Sequence, residues 1–271
     1  MICENCSHKC DLAEGVTGIC HARSNKGGEI SCDNYGAVTS LALDPIEKKP
    51  LAMFHPGARI LSAGSYGCNM RCMWCQNDSI SRGYVPADTL SPEELVEIAI
   101  GQKERGNIGI AFTYNEPSVG YEFVYDTAKL AKSAGLICVS VTNGMLSRDR
   151  FDRLLNYIDA FNIDIKTGNS SKYELIGGDQ NLILGNVRSA AEHGAHVELT
   201  TLVVPGFNDS EEDIRSIVSF IEELDARIPF HITRFFPAGD MRSAYPTPLD
   251  VLYRFRDIAK EKLENVFLGN V

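Results

Sequence analysis

No stretch of this sequence is apolar for long enough to cross a bilayer. Its longest runs, such as Leu136–Val141, fall far short of the ~20 residues that a spanning helix needs. A block of Lys or Arg is also missing. With 26 basic against 36 acidic residues, the formal charge is −10 and the sequence pI about 5.1. A nucleic-acid binder is expected to show a basic face, so the expectation is no nucleic acid and no membrane as partner. The start, MICENCSHKC, is polar and lacks the apolar core of an export signal, which leads to the expectation of a cytoplasmic protein. Internal repeats and low-complexity tracts are absent.

A narrower absence carries more information. In GCNMRCMWCQN the cysteines Cys68, Cys72 and Cys75 stand C-x3-C-x2-C, with no fourth cysteine close behind. Iron–sulfur clusters are usually held by four thiolates, and closed zinc sites also take four ligands. Three thiolates on a 4Fe–4S cube would leave one iron open, and an open metal position distinguishes a site of chemistry from one that only holds structure. The alternatives are a zinc site completed by a distant residue, or buried thiols packing as small hydrophobes. Nine cysteines without an export signal point to metal or redox chemistry rather than to disulfides.

The chain, 44% hydrophobic, changes texture near residue 55. Residues 1–55 are rich in Cys, Gly and polar residues, as expected of a small Cys-rich metal-binding module. Residues 56–271 alternate short apolar runs with helical patterns. The strand candidates are Ile60–Ser65, Ile108–Thr113, Leu136–Thr142, Ala160–Ile165, Val197–Val204 and Pro229–Phe235. Ser91-Pro92-Glu93-Glu94 combines an N-cap, a first-turn proline and a capping-box Glu, with Leu95, Ile98 and Ala99 inward. Ser210 precedes Ile214, Ile217, Val218, Ile221 and Leu224 at helical spacing, and Thr247-Pro248 precedes Leu252, Phe255 and Ala259. Strands alternating with helices predict an α/β fold with a parallel sheet, and six such units suit an open, partial (β/α)6 barrel. In such folds the site lies at the C-terminal ends of the strands, and the Cys68 loop follows the first of them.

With Trp74 in the aromatic place, the cysteine loop resembles the C-x3-C-x-aromatic-C loop of radical S-adenosylmethionine (SAM) enzymes. The resemblance covers essentially the whole chain. It is closest to the pyruvate formate-lyase activating enzyme-like branch, specifically the AmmeMemoRadiSam-system proteins. Its further carriers are Ala42–Leu51 (ALDPIEKKPL), Glu198–Asp209 (ELTTLVVPGFND), Arg234-Phe235 and Leu268–Val271. It implies that a 4Fe–4S cluster on Cys68, Cys72 and Cys75 chelates SAM and cleaves it reductively to a 5′-deoxyadenosyl radical for hydrogen abstraction. It also implies an oxidoreductase with reduced flavodoxin or ferredoxin as electron donor, a protein or small-molecule substrate, and an anaerobic setting. Activation of a glycyl-radical enzyme is the leading reading and peptide or nucleotide modification the alternative. A non-catalytic iron–sulfur electron carrier is the alternative from another class.

The same resemblance assigns strand-end residues. Trp74 and Gln76 are placed at the adenine. Glu116 and Pro117 match a Gly-Gly-Glu-Pro motif that receives the SAM amino group, with Tyr114 and Asn115 in place of its glycines; Asn115 can accept through its side-chain oxygen. Thr142-Asn143-Gly144 matches a stretch that approaches the ribose or carboxylate. Asp164-Ile165-Lys166 matches a D-x-K motif, and Val203–Gly206 a segment along the adenine. His231 and Arg234, three apart on the last strand, fall on different faces unless a bulge intervenes; either one of them points at a substrate or His231 is a satisfied structural histidine. Cys138, inside an apolar run, reads as a buried thiol. Near the N-terminus Cys3, Cys6, Cys10 and Cys20 form C-x2-C-x3-C-x9-C, a set that can enclose zinc or a second iron–sulfur cluster. His8 and His21 are substitute ligands, and Cys32 is left over.

Overall fold

The computed structural model describes all 271 residues. A hairpin of β1 (Arg23–Lys26) and β2 (Glu29–Cys32) follows the first cysteines, and β3 (Ala37–Val38) pairs with the later β6 (Asp88–Thr89). The main sheet contains β4 (Ser40–Pro45), β5 (Arg59–Gly64), β7 (Asn107–Phe112), β8 (Ile137–Thr142), β9 (Ala160–Asp164), β10 (His196–Val203), β11 (Phe230–Arg234) and β12 (Val266–Gly269). Their spatial order is β12-β11-β10-β9-β8-β7-β5-β4, with β4 antiparallel to β5 and every other pair parallel. β4 and β12 do not pair with each other, so the sheet stays open. The helices are α1 (Asp78–Ser81), α2 (Pro92–Gly101), α3 (Tyr121–Ser133), α4 (Arg148–Leu154), α5 (Ser170–Leu175), α6 (Gln180–His193), α7 (Glu211–Asp225) and α8 (Leu249–Lys260).

All six expected strands form, within a residue or two at each end. The sheet extends beyond them by one strand on each side: β4, SLALDP, is too mixed in polarity to be read from alternation, and β12 has only four residues. The capping box forms as expected: Glu94 N donates to Ser91 Oγ at 3.2 Å, and Ser91 N donates to Glu94 Oε2 at 2.7 Å. Asp213 N donates to Ser210 Oγ and starts α7, which buries Ile214, Ile217, Val218 and Ile221. Thr247 is not a cap. Its hydroxyl donates to the Val203 carbonyl at 2.6 Å and accepts from Phe235 N, so it ties β10 to the chain after β11.

The period of two along a strand sorts residues between helices and lumen. Leu61, Phe112, Phe161, Leu199 and Phe230 belong to the large core shared with the helices, which also buries Leu95, Phe151 and Phe255. Ile60, Ala111, Val139 and Ala160 alternate with them and form a second cluster with Ile46 and Leu51. Those last two come from the turn and extended segment after β4, so that segment plugs the N-terminal end of the strands. Further round the sheet, two and four residues beyond the level of Ala160, the alternating positions are polar, with Asn162, Glu198 and His231 all buried. That change of polarity is where the lumen departs from ordinary barrel packing. No helix is long and apolar enough to cross a membrane.

Candidate active site

One cavity of about 770 Å³ runs from the Cys68 loop into the barrel lumen. It is lined by all three loop cysteines, by strand-end residues of β7 to β9 and, deeper, by Lys49, Thr200 and His231. The expected residues Trp74, Gln76, Asn115, Glu116, Thr142 and Asn143 all border it.

The loop begins with a left-handed glycine. Gly67 has φ of 92°, and a Cβ there would lie 2.6 Å from the Cys20 carbonyl oxygen and 2.9 Å from Ala22 Cβ. Only glycine combines that conformation with that approach. Cys68 N then donates to the same Cys20 carbonyl at 3.2 Å, which places the N-terminal module directly against the cysteine loop. His8 Nε2 meets the Asn69 carbonyl at 2.7 Å, and Arg71 reaches the Ile19 carbonyl. His8 is therefore engaged with the loop.

Burial pushes the Cys68 thiol well above its ordinary range, and the Glu116 carboxylate adds to this; Met70 N, which donates to its sulfur at 3.4 Å, opposes. Burial also raises Cys72 to about 11 against the pull of the Lys166 ammonium. Thiols so disfavoured as free anions suit coordination, where metal charge replaces lost hydration. Nowhere do three His, Cys, Asp or Glu side chains converge tightly enough for one metal ion. The loop thiols are thus not gathered around a single ion, while the cavity they share leaves space for a larger group. Cys75 Sγ lies 3.8 Å from Ser81 Oγ, and Asn143 Nδ2 lies 3.8 Å from Cys68 Sγ. On these observations the residues fit an iron–sulfur cube.

Trp74 is buried with its ring 4.4 Å from that of Phe207, whereas Gln76 is exposed at the rim. Glu116 is buried and joins the ends of two strands. Its Oε1 accepts from Ser118 N at 2.9 Å and Thr142 Oγ1 at 2.6 Å, and its Oε2 accepts from Asn143 N at 2.7 Å. A carboxylate can take about four donors, so Oε2 keeps capacity for one more. Burial raises the Glu116 carboxyl against these three bonds. Asn115 braces the turn before Cys68: its Oδ1 accepts from Ser65 N, and its Nδ2 donates to the Tyr66 and Gly67 carbonyls. Asn143 Nδ2 also donates to Asn69 Oδ1 at 2.9 Å.

In the D-x-K stretch, Lys166 Nζ pairs with Asp164 at 2.7 Å. Burial works against its charge, but Asp164 and Cys72 outweigh this and keep it an ammonium. The segment after β10 is pinned by Asn208, which donates to the Lys166 and Leu202 carbonyls and accepts from Val204 N. His231 lies in the lumen, and Arg234 donates to the Thr247 carbonyl over the Phe236 ring. The two diverge as alternation requires. Cys138 is fully buried. Cys3 N donates to the Cys10 carbonyl at 2.9 Å, and the Cβ position at Gly18 lies 3.7 Å from Cys10 Sγ, so the turn holding Cys20 folds back onto the first cysteines.

Two polar groups extend the reading from sequence, in which only His231 among them is singled out. Lys49, from ALDPIEKKPL, is buried; its ammonium is 3.0 Å from Asp44 Oδ2 and 4.7 Å from the centroid of the Tyr114 ring, whose hydroxyl donates to Asp44 at 2.8 Å. Tyr114 holds φ of 73°, and its ring fits because position 64 is glycine: a Cβ there would lie 2.6 Å from it. In the second group, fully buried Glu198 accepts from Met53 N and Ala52 N at 2.8 Å each, and lies 2.9 Å from His196 Nε2 and 2.6 Å from His231 Nε2. Burial would raise its carboxyl, but these bonds outweigh it and bring it to about 2. Lys49 and Glu198 each lie inside a stretch already marked by resemblance, whereas His196 carries no sequence signal.

The profile of the Radical SAM superfamily matches residues 63–221. Over 276 residues the chain is 40% identical to the Methanocaldococcus jannaschii protein described as uncharacterized protein MJ0808, covering 99% of this chain and 81% of that one. It is 26% identical over 194 residues to the pyruvate formate-lyase-activating enzyme of Staphylococcus epidermidis, covering 68% of this chain and 77% of that enzyme. The crystal structure of Streptococcus suis SuiB bound to S-adenosylmethionine aligns with a TM-score of 0.61 at 16% identity, over 76% of this chain and 48% of SuiB. That likeness concerns the fold.

Proposed function

We propose that this chain, which belongs to the radical SAM superfamily, generates a radical from SAM and uses it to take a hydrogen atom from a substrate held in its lumen. The observation that carries the reading is the convergence of Cys68, Cys72 and Cys75 with Glu116, Thr142 and Asn143 on one cavity. Family membership implies the 4Fe–4S cluster and SAM, and the three cysteines are the ligands that would hold the cluster. When bound, the cluster supplies the electron that splits a sulfonium carbon–sulfur bond, giving methionine and a 5′-deoxyadenosyl radical.

The chain's own residues prepare that step. Oε2 of Glu116 offers its remaining acceptor capacity to the SAM ammonium, a charge-assisted bond in a buried setting. Thr142 and Asn143 hold that carboxylate in place. Trp74, backed by Phe207, forms the wall along the adenine, with Gln76 at the rim. Lys166 places a fixed positive charge beside Cys72, favouring its thiolate. Reduced flavodoxin or ferredoxin serves as electron donor in the cytoplasm under low oxygen.

Hydrogen abstraction from a backbone glycine of a partner enzyme is one finer reading, supported by the similarity to an activating enzyme; a small-molecule substrate is the other. A metal on Cys3, Cys6, Cys10 and Cys20, either zinc or a second cluster, would require these side chains to close in from the positions they hold without it, and its binding would stabilise the small module. The test is direct. Anaerobically reconstituted protein given dithionite and SAM releases 5′-deoxyadenosine, and Cys72→Ala abolishes the release. Intact, cluster-loaded protein that yields none would overturn the proposal.

A further inference from the structure

We propose that His231, held by Glu198, is the residue that meets the substrate in the lumen, and that this substrate is a compact small molecule carrying a hydroxyl or amine. The inference deepens the radical-generating reading and rests on it. It names what the radical acts on.

His231 is the second residue of β11, opposite Thr200 on β10 and Phe267 on β12. Thr200 is in turn opposite Asp164, the last residue of β9, so His231 shares one cavity with the strand-end residues and the cysteine loop. The imidazole is fixed on two sides. Its Nε2 is 2.6 Å from Glu198 Oε2, and its ring stacks on Phe267 with centroids 5.2 Å apart. Glu198 has two backbone N–H donors besides the histidines, and this demands an acceptor at every position. The carboxylate is therefore ionised, and Nε2 of His231 carries the proton. With the imidazole neutral, Nδ1 is the acceptor; it has no hydrogen-bond partner in the protein, and the residue borders the cavity.

A structural histidine would have both nitrogens satisfied. Here one nitrogen is held by a buried carboxylate and the other is left for something in the cavity, the arrangement by which a carboxylate orients an imidazole for proton transfer. The same cavity is lined by Lys49, whose ammonium pairs with Asp44 and lies over the Tyr114 ring. Lys48 also pairs with Asp44, while Glu47 of the same turn accepts from Gly57 N. The ligand's size follows from how the lumen is closed. Glu198 binds Ala52 N and Met53 N, Asn162 donates to the Pro50 carbonyl at 2.8 Å, and Leu51 is packed into the plug beneath. The segment that seals the lumen is thus tied to the carboxylate that orients His231. The cavity is within the usual ~300–1,000 Å³ of small-molecule sites, and SAM takes the part beside the cysteines.

The proton step is balanced within the site. A proton moves from the substrate hydroxyl or ammonium to Nδ1, Nε2–H stays on Glu198, and the new imidazolium charge is paired with that carboxylate. Reversal of the step returns the proton.

The experiment follows deuterium. Cluster-loaded full-length protein, dithionite and unlabelled SAM are combined with perdeuterated cell extract of the source organism, separated into low-mass and macromolecular fractions. The readout is the ratio of deuterated to undeuterated 5′-deoxyadenosine. The expected result is deuterium from the low-mass fraction, a ratio at least tenfold lower in His231→Ala and in His231→Gln, and recovery in His231→Ala with added imidazole. His231→Gln keeps an amide for Glu198 but not the basic nitrogen, so it separates proton transfer from packing. Deuterium from the macromolecular fraction alone, or an unchanged ratio in His231→Gln, would overturn the inference and leave radical generation standing. Absence of 5′-deoxyadenosine in every arm would instead sink the underlying reading.

Discussion

Glu198→Gln isolates the buried carboxylate on which the lumen floor depends. The carboxylate faces four donors, Ala52 N, Met53 N and the Nε2 atoms of His196 and His231. An amide has one oxygen, which can serve two of them, and its NH2 group meets the other two. A histidine can change tautomer to accept from that NH2; a backbone N–H cannot. One buried N–H is therefore orphaned at about 1–3 kcal/mol, and loss of charge assistance in the remaining bonds adds about 1 kcal/mol. The expected loss is about 2–4 kcal/mol at neutral pH, or roughly 5–15 °C in melting temperature for a domain of this size. The effect has a pH signature. The Glu198 carboxyl is depressed from 4.5 to about 2 in the folded protein, so its stabilisation is complete above the unfolded value and is lost as pH falls from about 4.5 towards 2. The shift corresponds to about 3 kcal/mol. Urea unfolding followed by circular dichroism, with both proteins compared at each pH, should show a gap at pH 7 that closes across that acid window. Contributions common to both proteins, acid loss of bound metal included, cancel in the difference. Equal midpoints at pH 7, or a gap that persists unchanged to pH 2, would refute the reasoning.

Other perturbations reach the cysteine loop and its neighbours. Gly67→Ala forces a Cβ to 2.6 Å from the Cys20 carbonyl at φ of 92°; it should cost on the order of 2 kcal/mol and lower iron content after reconstitution, read by urea midpoint and iron per chain. Thr142→Val removes the 2.6 Å bond to Glu116, and an expected loss of about 1–3 kcal/mol should accompany a severalfold rise in KM for SAM; an unchanged KM would separate Glu116 from SAM binding. Cys10→Ser should release whatever metal the full-length protein binds beyond the first cluster, measured by elemental analysis. If the wild-type protein carries only the iron of one cluster and no zinc, the N-terminal metal is disproved.

What the residues disclosed unaided was whatever depends on near neighbours in the chain. A capping box spans four positions, so Ser91 and Glu94 announced α2. Alternation and helical spacing arise from the geometry of one element, so six strands and the inward faces of α7 and α8 could be read before any packing was known. Cys68, Cys72 and Cys75 lie within eight residues, and three thiols at that spacing carry their chemistry with them. Tertiary structure decided what depends on long-range closure. β4 is too mixed in polarity, and β12, at four residues, too short, to announce themselves, and both exist because the sheet beside them offers unpaired N–H and C=O groups. Glu116 and Thr142 stood out separately, but their bond needed β7 and β8 side by side. Glu198 lies 33 residues from His231 and 145 from Met53. Only curvature of the sheet, together with a buried carboxylate's demand for donors, draws those three segments to one point.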